Sequence, residues 1–203
     1  MAYKILALMG AAGVGKSAVL HALMTQAPRF HEIISCTTRP PREGEVDGIN
    51  YHFLSHDDFA EQINQGKMME VAIFRGWCYG TSFDNLAPDN INVGVFNPSG
   101  IAMLMDDSNI DLFPVWIQAS DKTRLLRQLN REHNPDVKEI IRRYSTDEED
   151  FSDIIIKDDL GYKAYYESYP IAIINNENRT PEETAIEILN LVSAWTKSDN
   201  LSI

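Results

Sequence analysis

The chain has 203 residues, 44% of them hydrophobic and 24% charged, which is ordinary for a globular protein and enough for one large domain, or one core with a small insert. Against 18 Lys and Arg stand 30 Asp and Glu, a net charge of −12. An average surface of that sign repels phosphates, which argues against non-specific nucleic-acid binding and against an anionic membrane surface.

In chain order, residues 3–9 form an apolar run ending at Gly10 and read as a buried strand. Residues 17–26 place Val19, Leu20, Leu23 and Met24 on one helical face. Residues 33–37 read as a second strand, 38–48 as a loop rich in Pro, Gly and charge, and 50–54 as an alternating strand. Residues 56–65 are a helix with Ser55 as N-cap and Gly66 as its stop. Two strands follow, 67–74 and 77–81, around Gly76. Residues 91–96 are a buried strand, and Pro98 opens the next helix. After a strand at 113–117, Ser120 caps a helix that runs through Arg131. Asn134 and Pro135 break it, and residues 137–150 form a charged helix. A helical segment at 158–169, a strand at 171–174 and a helix at 181–195 with Thr180 as cap complete the pattern, and the tail from residue 197 frays. Strands alternating with helices at both ends predict a parallel α/β sheet, and the strand-rich stretch from 33 to 81 reads as an insert.

Cys36 and Cys78 form neither a disulfide framework nor a C-x-x-C pair, so they read as free thiols of a reducing compartment. The five histidines show no metal-binding spacing. No apolar run reaches the length of a transmembrane helix. The N-terminal apolar stretch superficially resembles a signal peptide, but the residues that follow explain it better.

Those residues are Gly10-Ala11-Ala12-Gly13-Val14-Gly15-Lys16-Ser17, a full G-x-x-x-x-G-K-[ST] between a predicted strand and a predicted helix. Glycines let backbone N–H groups turn inward around a phosphate, and the helix N-terminus adds positive potential. Lys16 neutralises the β- and γ-phosphates and the Ser17 hydroxyl suits Mg²⁺. The competing reading, a glycine-rich turn with a chance lysine, leaves the flanking strand and helix unexplained. The loop implies a nucleoside triphosphate but does not name an acceptor.

A second constellation runs from Ser35 to Tyr51. Arg39 and Arg42, stiffened by Pro40 and Pro41, make a fork for a phosphate monoester, and Tyr51 and Tyr79 each offer a hydroxyl. Glu70 sits in a largely apolar run, where a carboxylate accepts the paired N1–H and N2–H₂ donors of guanine. The alternatives are solvated loop charges for the arginines and a solvent-facing strand residue for Glu70.

Together these stretches resemble the guanylate kinases. The resemblance rests on S-x-T-T-R-x-P-R-x-G-E-x-D-G-x-x-Y-x-F from Ser35 to Phe53, G-x-x-x-E-x-A from Gly66 to Ala72, Y-G-T from Tyr79 to Thr81, and the phosphate loop. It implies a P-loop nucleoside monophosphate kinase fold, α/β, with a parallel sheet flanked by helices. Residues 1–34 and 88–203 would be the core, 35–87 a small mixed-strand monophosphate-binding insert, and about 124–150 a helical lid. The resemblance implies that Ser35, Arg39, Arg42, Tyr51 and Tyr79 hold the acceptor phosphate, that Glu70 and Thr81 read guanine, and that Ala12, Gly13, Val14, Gly15, Lys16 and Ser17 hold ATP, Ser17 with the metal. Arg127, Arg131 and Arg143 match lid arginines, and Asn175 a position near adenine; a solvated charge stripe is the rival meaning of the lid arginines.

One stretch departs from the family pattern. Where the family carries L-D-x-D-x-Q-G, this chain has Val95-Phe96-Asn97-Pro98-Ser99-Gly100, so two aspartates are replaced by Val95 and Asn97. The expected activity is transfer of a phosphoryl group from ATP, with Mg²⁺, to GMP or dGMP, in the cytoplasm. The departure keeps open another or modified purine monophosphate as acceptor. A catalytically silent protein-binding module is the rival of another class. Such modules typically have a degraded phosphate loop, whereas Lys16, Ser17, Arg39 and Arg42 are intact. The expected partners are small nucleotides, neither nucleic acid nor membrane, with monomer and homodimer both open. The six basic residues Lys16, Arg39, Arg42, Arg127, Arg131 and Arg143 are expected in one cleft, with Asp147–Asp150 on the outer surface.

Overall fold

The computed structural model describes residues 2–42, 44–131, 133–152 and 171–197. The helical segment predicted at 158–169 and the frayed tail beyond residue 197 lie outside them.

Strand β1 (Tyr3–Met9) is almost wholly apolar and lies at the centre of a five-stranded sheet. Its neighbours are β7 (Ile91–Val95) and β8 (Ile110–Gln118), with β2 (Phe30–Glu32) beyond β7 and β9 (Ala172–Asn175) beyond β8, all parallel. A strand flanked on both faces by helices is buried all round, which explains why Ile5–Met9 is a continuous apolar run without alternation. Helix α1 (Lys16–Gln26) follows β1 directly and packs on the C-terminal helix, α6 (Pro181–Lys197).

The second sheet has four short strands in the order β4 (His52–Phe53), β3 (Cys36–Thr37), β6 (Trp77–Ser82), β5 (Met68–Phe74). Helix α2 (His56–Asn64) packs its one buried aromatic, Phe59, toward it. Ser55 accepts from the Asp58 N–H at 3.0 Å, so its N-cap role is as predicted. Helix α3 (Pro98–Met105) starts at the expected proline, with the Asn97 side chain as N-cap. Ser120 caps α4 (Asp121–Leu129), and Thr180 and Glu183 form a reciprocal capping box at the start of α6.

Several boundaries differ from expectation, among them the strand predicted at 50–54, which is only His52–Phe53. Of the strand predicted at 33–37 only β3, Cys36–Thr37, is strand, while β2 lies before it in the other sheet, because each pairs with a different distant partner. Strand β8 begins three residues before the predicted start, drawn out by its pairing with β1 from Tyr3 onward. Helix α4 ends at Leu129 with Asn130 as its C-cap, so Arg131 falls outside it. Helix α5 spans Val137–Ser152. Among the described residues, no helix is long and apolar enough to cross a membrane. Cys36 and Cys78 are free thiols.

Candidate active site

The sheet order explains where a ligand fits. The chain leaves β1 between β7 on one side and β8 on the other, and the crevice beyond their carboxyl ends is where open α/β sheets bind ligands. The loop from Gly10 to Ser17 fills that crevice. All three of its glycines are sterically required, and at Gly10 (φ +151°) a side chain would collide with the Ile117 carbonyl oxygen. At Gly13 (φ +84°) a side chain would meet the Arg124 carbonyl oxygen at 2.5 Å, and at Gly15 (φ +102°) the Asn176 amide at 2.8 Å. The loop is therefore braced by α4 and by the residue after β9.

The bracing is also polar. The Val14 carbonyl accepts from Asn176 Nδ2 at 2.8 Å and from Arg127 Nη1 at 3.1 Å. Lys16 Nζ donates to the carbonyls of Gly10 and Ala11, curling over its own loop. Burial lowers its pKa to about 8; Asp147 opposes that shift and Arg124 adds to it.

In the second constellation, Arg39 lies buried in β3's continuation, flanked by the rings of Tyr51 (5.5 Å) and Phe53 (5.8 Å). Its two terminal nitrogens donate to the two oxygens of Glu45 at 2.9 and 3.0 Å, a bidentate fork. Glu45 also accepts from the Arg42 N–H at 2.7 Å. Hydrogen bonds from Arg39, first, hold its carboxyl below the usual range. Tyr51 and Tyr79 meet edge-on with ring centres 6.1 Å apart.

A separate chain of hydrogen bonds carries Glu70. Thr81 Oγ1 donates to Glu70 Oε1 at 2.8 Å, and Ser35 Oγ lies 3.3 Å from Thr81 Oγ1. Burial raises the Glu70 pKa, and the Thr81 bond only partly offsets this. A side chain at Gly100 would approach Glu70 Oε2 to 3.4 Å, so the start of α3 faces the same carboxylate. Asn97, at a position where the resemblance expects aspartate, turns its Oδ1 to the Gly100 N–H at 2.7 Å. Its side chain is a helix cap.

The structure brings Lys16, Arg39, Arg42, Tyr51, Tyr79 and Arg143 around one cleft of about 540 Å³. Ser35, Glu70 and Thr81 form their own cluster instead, and Ser35 stands with the latter two rather than with the arginines. The six basic residues do not share one cleft. Arg127 is spent on backbone carbonyls, those of Val14, Asn176 (2.8 Å) and Glu177. Arg131, beyond the end of α4, lines a small separate hollow with Arg143. The outer-surface expectation holds for Glu148, Glu149 and Asp150, which are exposed, although Asp150 also borders the main cleft, and it fails for Asp147, which is partly buried and lines that cleft. Asp147 turns inward because it accepts from the Ala12 N–H of the Gly10–Ser17 loop at 2.6 Å. Burial raises the Asp150 pKa.

Several contributing residues escape a reading of the sequence. Arg142, beside Arg143, also lines the cleft, and Glu139 accepts from Arg142 at 2.8 Å, Arg143 at 2.9 Å and Arg75 at 2.9 Å. Arg142, then Arg143, keeps the Glu139 carboxyl far below its ordinary range. Asn176, not Asn175, grips the loop; adjacency in sequence was the available signal. Asn175 instead lines a larger hollow of about 910 Å³ with Val14, Ser120 and Glu177. Glu177 accepts from the Ser120 N–H and hydroxyl and from the Thr123 hydroxyl, which lowers its pKa to about 2.

Among the described residues, no group of three or more His, Cys, Asp or Glu is arranged to hold a metal ion. Ser17 is exposed in the first turn of α1, where its hydroxyl would suit a magnesium ion as one oxygen ligand.

Residues 2–167 match the protein family described as Guanylate kinase. A guanylate kinase of Frankia casuarinae is 30% identical over 166 residues, covering 75% of this chain and 88% of that protein. One from Campylobacter jejuni is 29% identical over 206 residues, covering 96% of this chain and 98% of its own. The crystal structure of guanylate kinase from Anaplasma phagocytophilum aligns with a TM-score of 0.62 at 23% identity, over 95% of this chain and 86% of that one, a likeness of fold.

Proposed function

We proceed from the fact that this chain belongs to the guanylate kinase family, and we propose the roles by which its residues move the γ-phosphoryl group of ATP to GMP or dGMP. It is an ATP-dependent nucleoside monophosphate kinase, and its products are ADP and the nucleoside diphosphate. The observation that carries the assignment of roles is that Lys16 of the donor loop and the Arg39–Arg42 fork line the same cleft. A donor phosphate at one and an acceptor phosphate at the other then face each other across it.

Phosphoryl transfer asks the protein mainly for position and charge neutralisation. The N–H groups from Ala12 to Ser17, with Lys16, hold the donor phosphates. Ser17 would hold the magnesium ion that accompanies ATP, and the ion would supply charge neutralisation at the phosphate oxygens. Arg39, Arg42, Tyr51 and Tyr79 hold the acceptor phosphate, Arg39 exchanging Glu45 for it. Glu70, Thr81 and Ser35 read the base. Arg143 on α5, with Arg131 brought in by closure of the lid, neutralises charge on the moving group, and closure excludes water as a competing acceptor. Asn175 borders the adenine, and Arg127 shapes the loop from behind. The small sheet is the monophosphate-binding insert, and the residues from 124 to 150 are the lid. Free thiols and a chain that binds small nucleotides suit the cytoplasm.

An ATP-coupled assay across GMP, dGMP, AMP, dAMP, IMP, pyrimidine and 2-aminoadenine monophosphates tests the reading. GMP and dGMP are expected to lead. Turnover led by a 2-aminoadenine nucleotide would favour the modified-purine reading, which the sequence departure at Val95 and Asn97 motivates. Phosphorylation of none of them would end the assignment.

A further inference from the structure

The phosphate loop already holds an anion, and the protein supplies it. Asp147 Oδ2 accepts from the Ala12 N–H at 2.6 Å and from Arg124 Nη2 at 2.9 Å. Arg124 Nε in turn donates to the Ala12 carbonyl at 3.2 Å, so both polar groups of Ala12 are held by one ion pair. That pair is largely closed to solvent, with side-chain exposures of 6% for Arg124 and 17% for Asp147. A carboxylate oxygen bound by a loop N–H and a guanidinium has the partners a phosphate oxygen takes at such a loop. Its place is also telling. Asp147 lines both the cleft that holds Lys16 and the Arg39–Arg42 fork and the larger hollow that holds Asn175, so it stands where the two meet. On the roles proposed above, that junction lies between the donor and acceptor phosphates.

We propose that Asp147 holds the place of the transferred phosphoryl group while the donor is absent, so that ATP binds only by expelling it. This rests on the phosphate loop being the donor site. Expulsion does not strand Arg124, which keeps the Ala12 carbonyl and Asp121 at 3.0 Å. It does break the direct hydrogen bond between the loop and α5, the helix that carries Arg142 and Arg143, leaving that helix tied to the loop through the contacts of Glu148 and Tyr144 with Arg124. Donor arrival is thereby coupled to freedom of the lid arginines. A latch shut nine-tenths of the time weakens apparent donor affinity about ten-fold.

Calorimetric titration of MgATP into the wild type, Asp147→Asn, Asp147→Ala and Glu148→Gln tests this. Asp147→Asn keeps the volume and the fold, which a thermal melt verifies. Glu148 lies 3.5 Å from Arg124 and is half exposed, so its variant removes a neighbouring charge without touching the loop. The expected result is MgATP binding about three- to ten-fold tighter in both Asp147 variants, with little change in Glu148→Gln. Unchanged or weaker binding in the Asp147 variants overturns the latch, as does equal tightening in Glu148→Gln, which would make the effect one of bulk charge. Failure of every form to bind MgATP overturns the donor-site reading and the latch together.

Discussion

The side-chain amide of Asn176 donates to the Val14 carbonyl at 2.8 Å, joining the end of β9 to the phosphate loop across 162 positions of sequence. Its Oδ1 accepts from the Thr184 hydroxyl at 2.6 Å, and the residue is buried. Asn176→Leu leaves a buried carbonyl and a buried hydroxyl without that partner. The expected cost is about 1–3 kcal/mol of stability by urea denaturation. A raised KM for ATP should accompany it, with KM for GMP unchanged, and an unchanged KM for ATP would show that the loop holds its shape without Asn176.

Lys16→Met removes the loop's only side-chain cation and leaves the strand and helix around it intact. Turnover should fall at least about 10²–10³-fold, with a circular dichroism spectrum like that of the wild type. Near-normal turnover would sink the role given to Lys16.

The lowered pKa of Lys16, about 8, has two consequences of defined sign. Its ammonium is the phosphate-binding form. In the free enzyme, kcat/KM for ATP should therefore decline as pH rises through about 8, whereas bound phosphates keep the lysine charged and kcat declines only at higher pH. Stability moves the other way. The unfolded chain, with an ordinary lysine pKa near 10.5, binds more protons than the folded one between about 8 and 10.5. Over that window Lys16 makes the fold more stable as pH rises. In the Lys16→Met protein both dependences should flatten.

Glu70→Ala should raise KM for GMP about 10- to 100-fold and leave KM for ATP alone, since the ring donors of guanine lose their acceptor. Because burial raises the Glu70 pKa, acid pH should weaken GMP binding earlier than an ordinary carboxylate would. Unchanged GMP kinetics in the alanine variant would show that the base is read elsewhere.

Arg39→Lys keeps the charge but loses the fork that now spans Glu45. A loss of about ten-fold or more in kcat/KM for GMP is expected, because an ammonium cannot bind a phosphate bidentately. Full retention of activity would mean that charge alone suffices at this position.

The sequence is legible where a signal is local. Ser55, Pro98, Ser120 and Thr180 each announce a helix start by chemistry confined to a few neighbouring residues, and each does so in the fold. Lys16, Arg39 and Arg42 are legible for the same reason, being set in short contiguous motifs. The strand predicted at 33–37 fails because nothing within five residues says that Phe30–Glu32 pairs with β7 while Cys36–Thr37 pairs with β6. The Ala12–Asp147 bond, across 135 positions, is beyond any local pattern, and so the acidic run containing Asp147 reads as solvated surface. Arg127 illustrates the converse. Its helical position alone suggests a free cation, and only packing reveals that backbone carbonyls occupy it.

Glu139, by holding Arg75 from the hairpin of the small sheet together with Arg142 and Arg143 of α5, makes two parts of the molecule share one carboxylate. Arg75 is more than half exposed, and a solvent-facing pair of this kind contributes only about 0–1 kcal/mol. The link therefore works as a detent rather than a lock. It favours one relative placement of hairpin and helix, yields to a modest push, and gives way more readily as ionic strength rises.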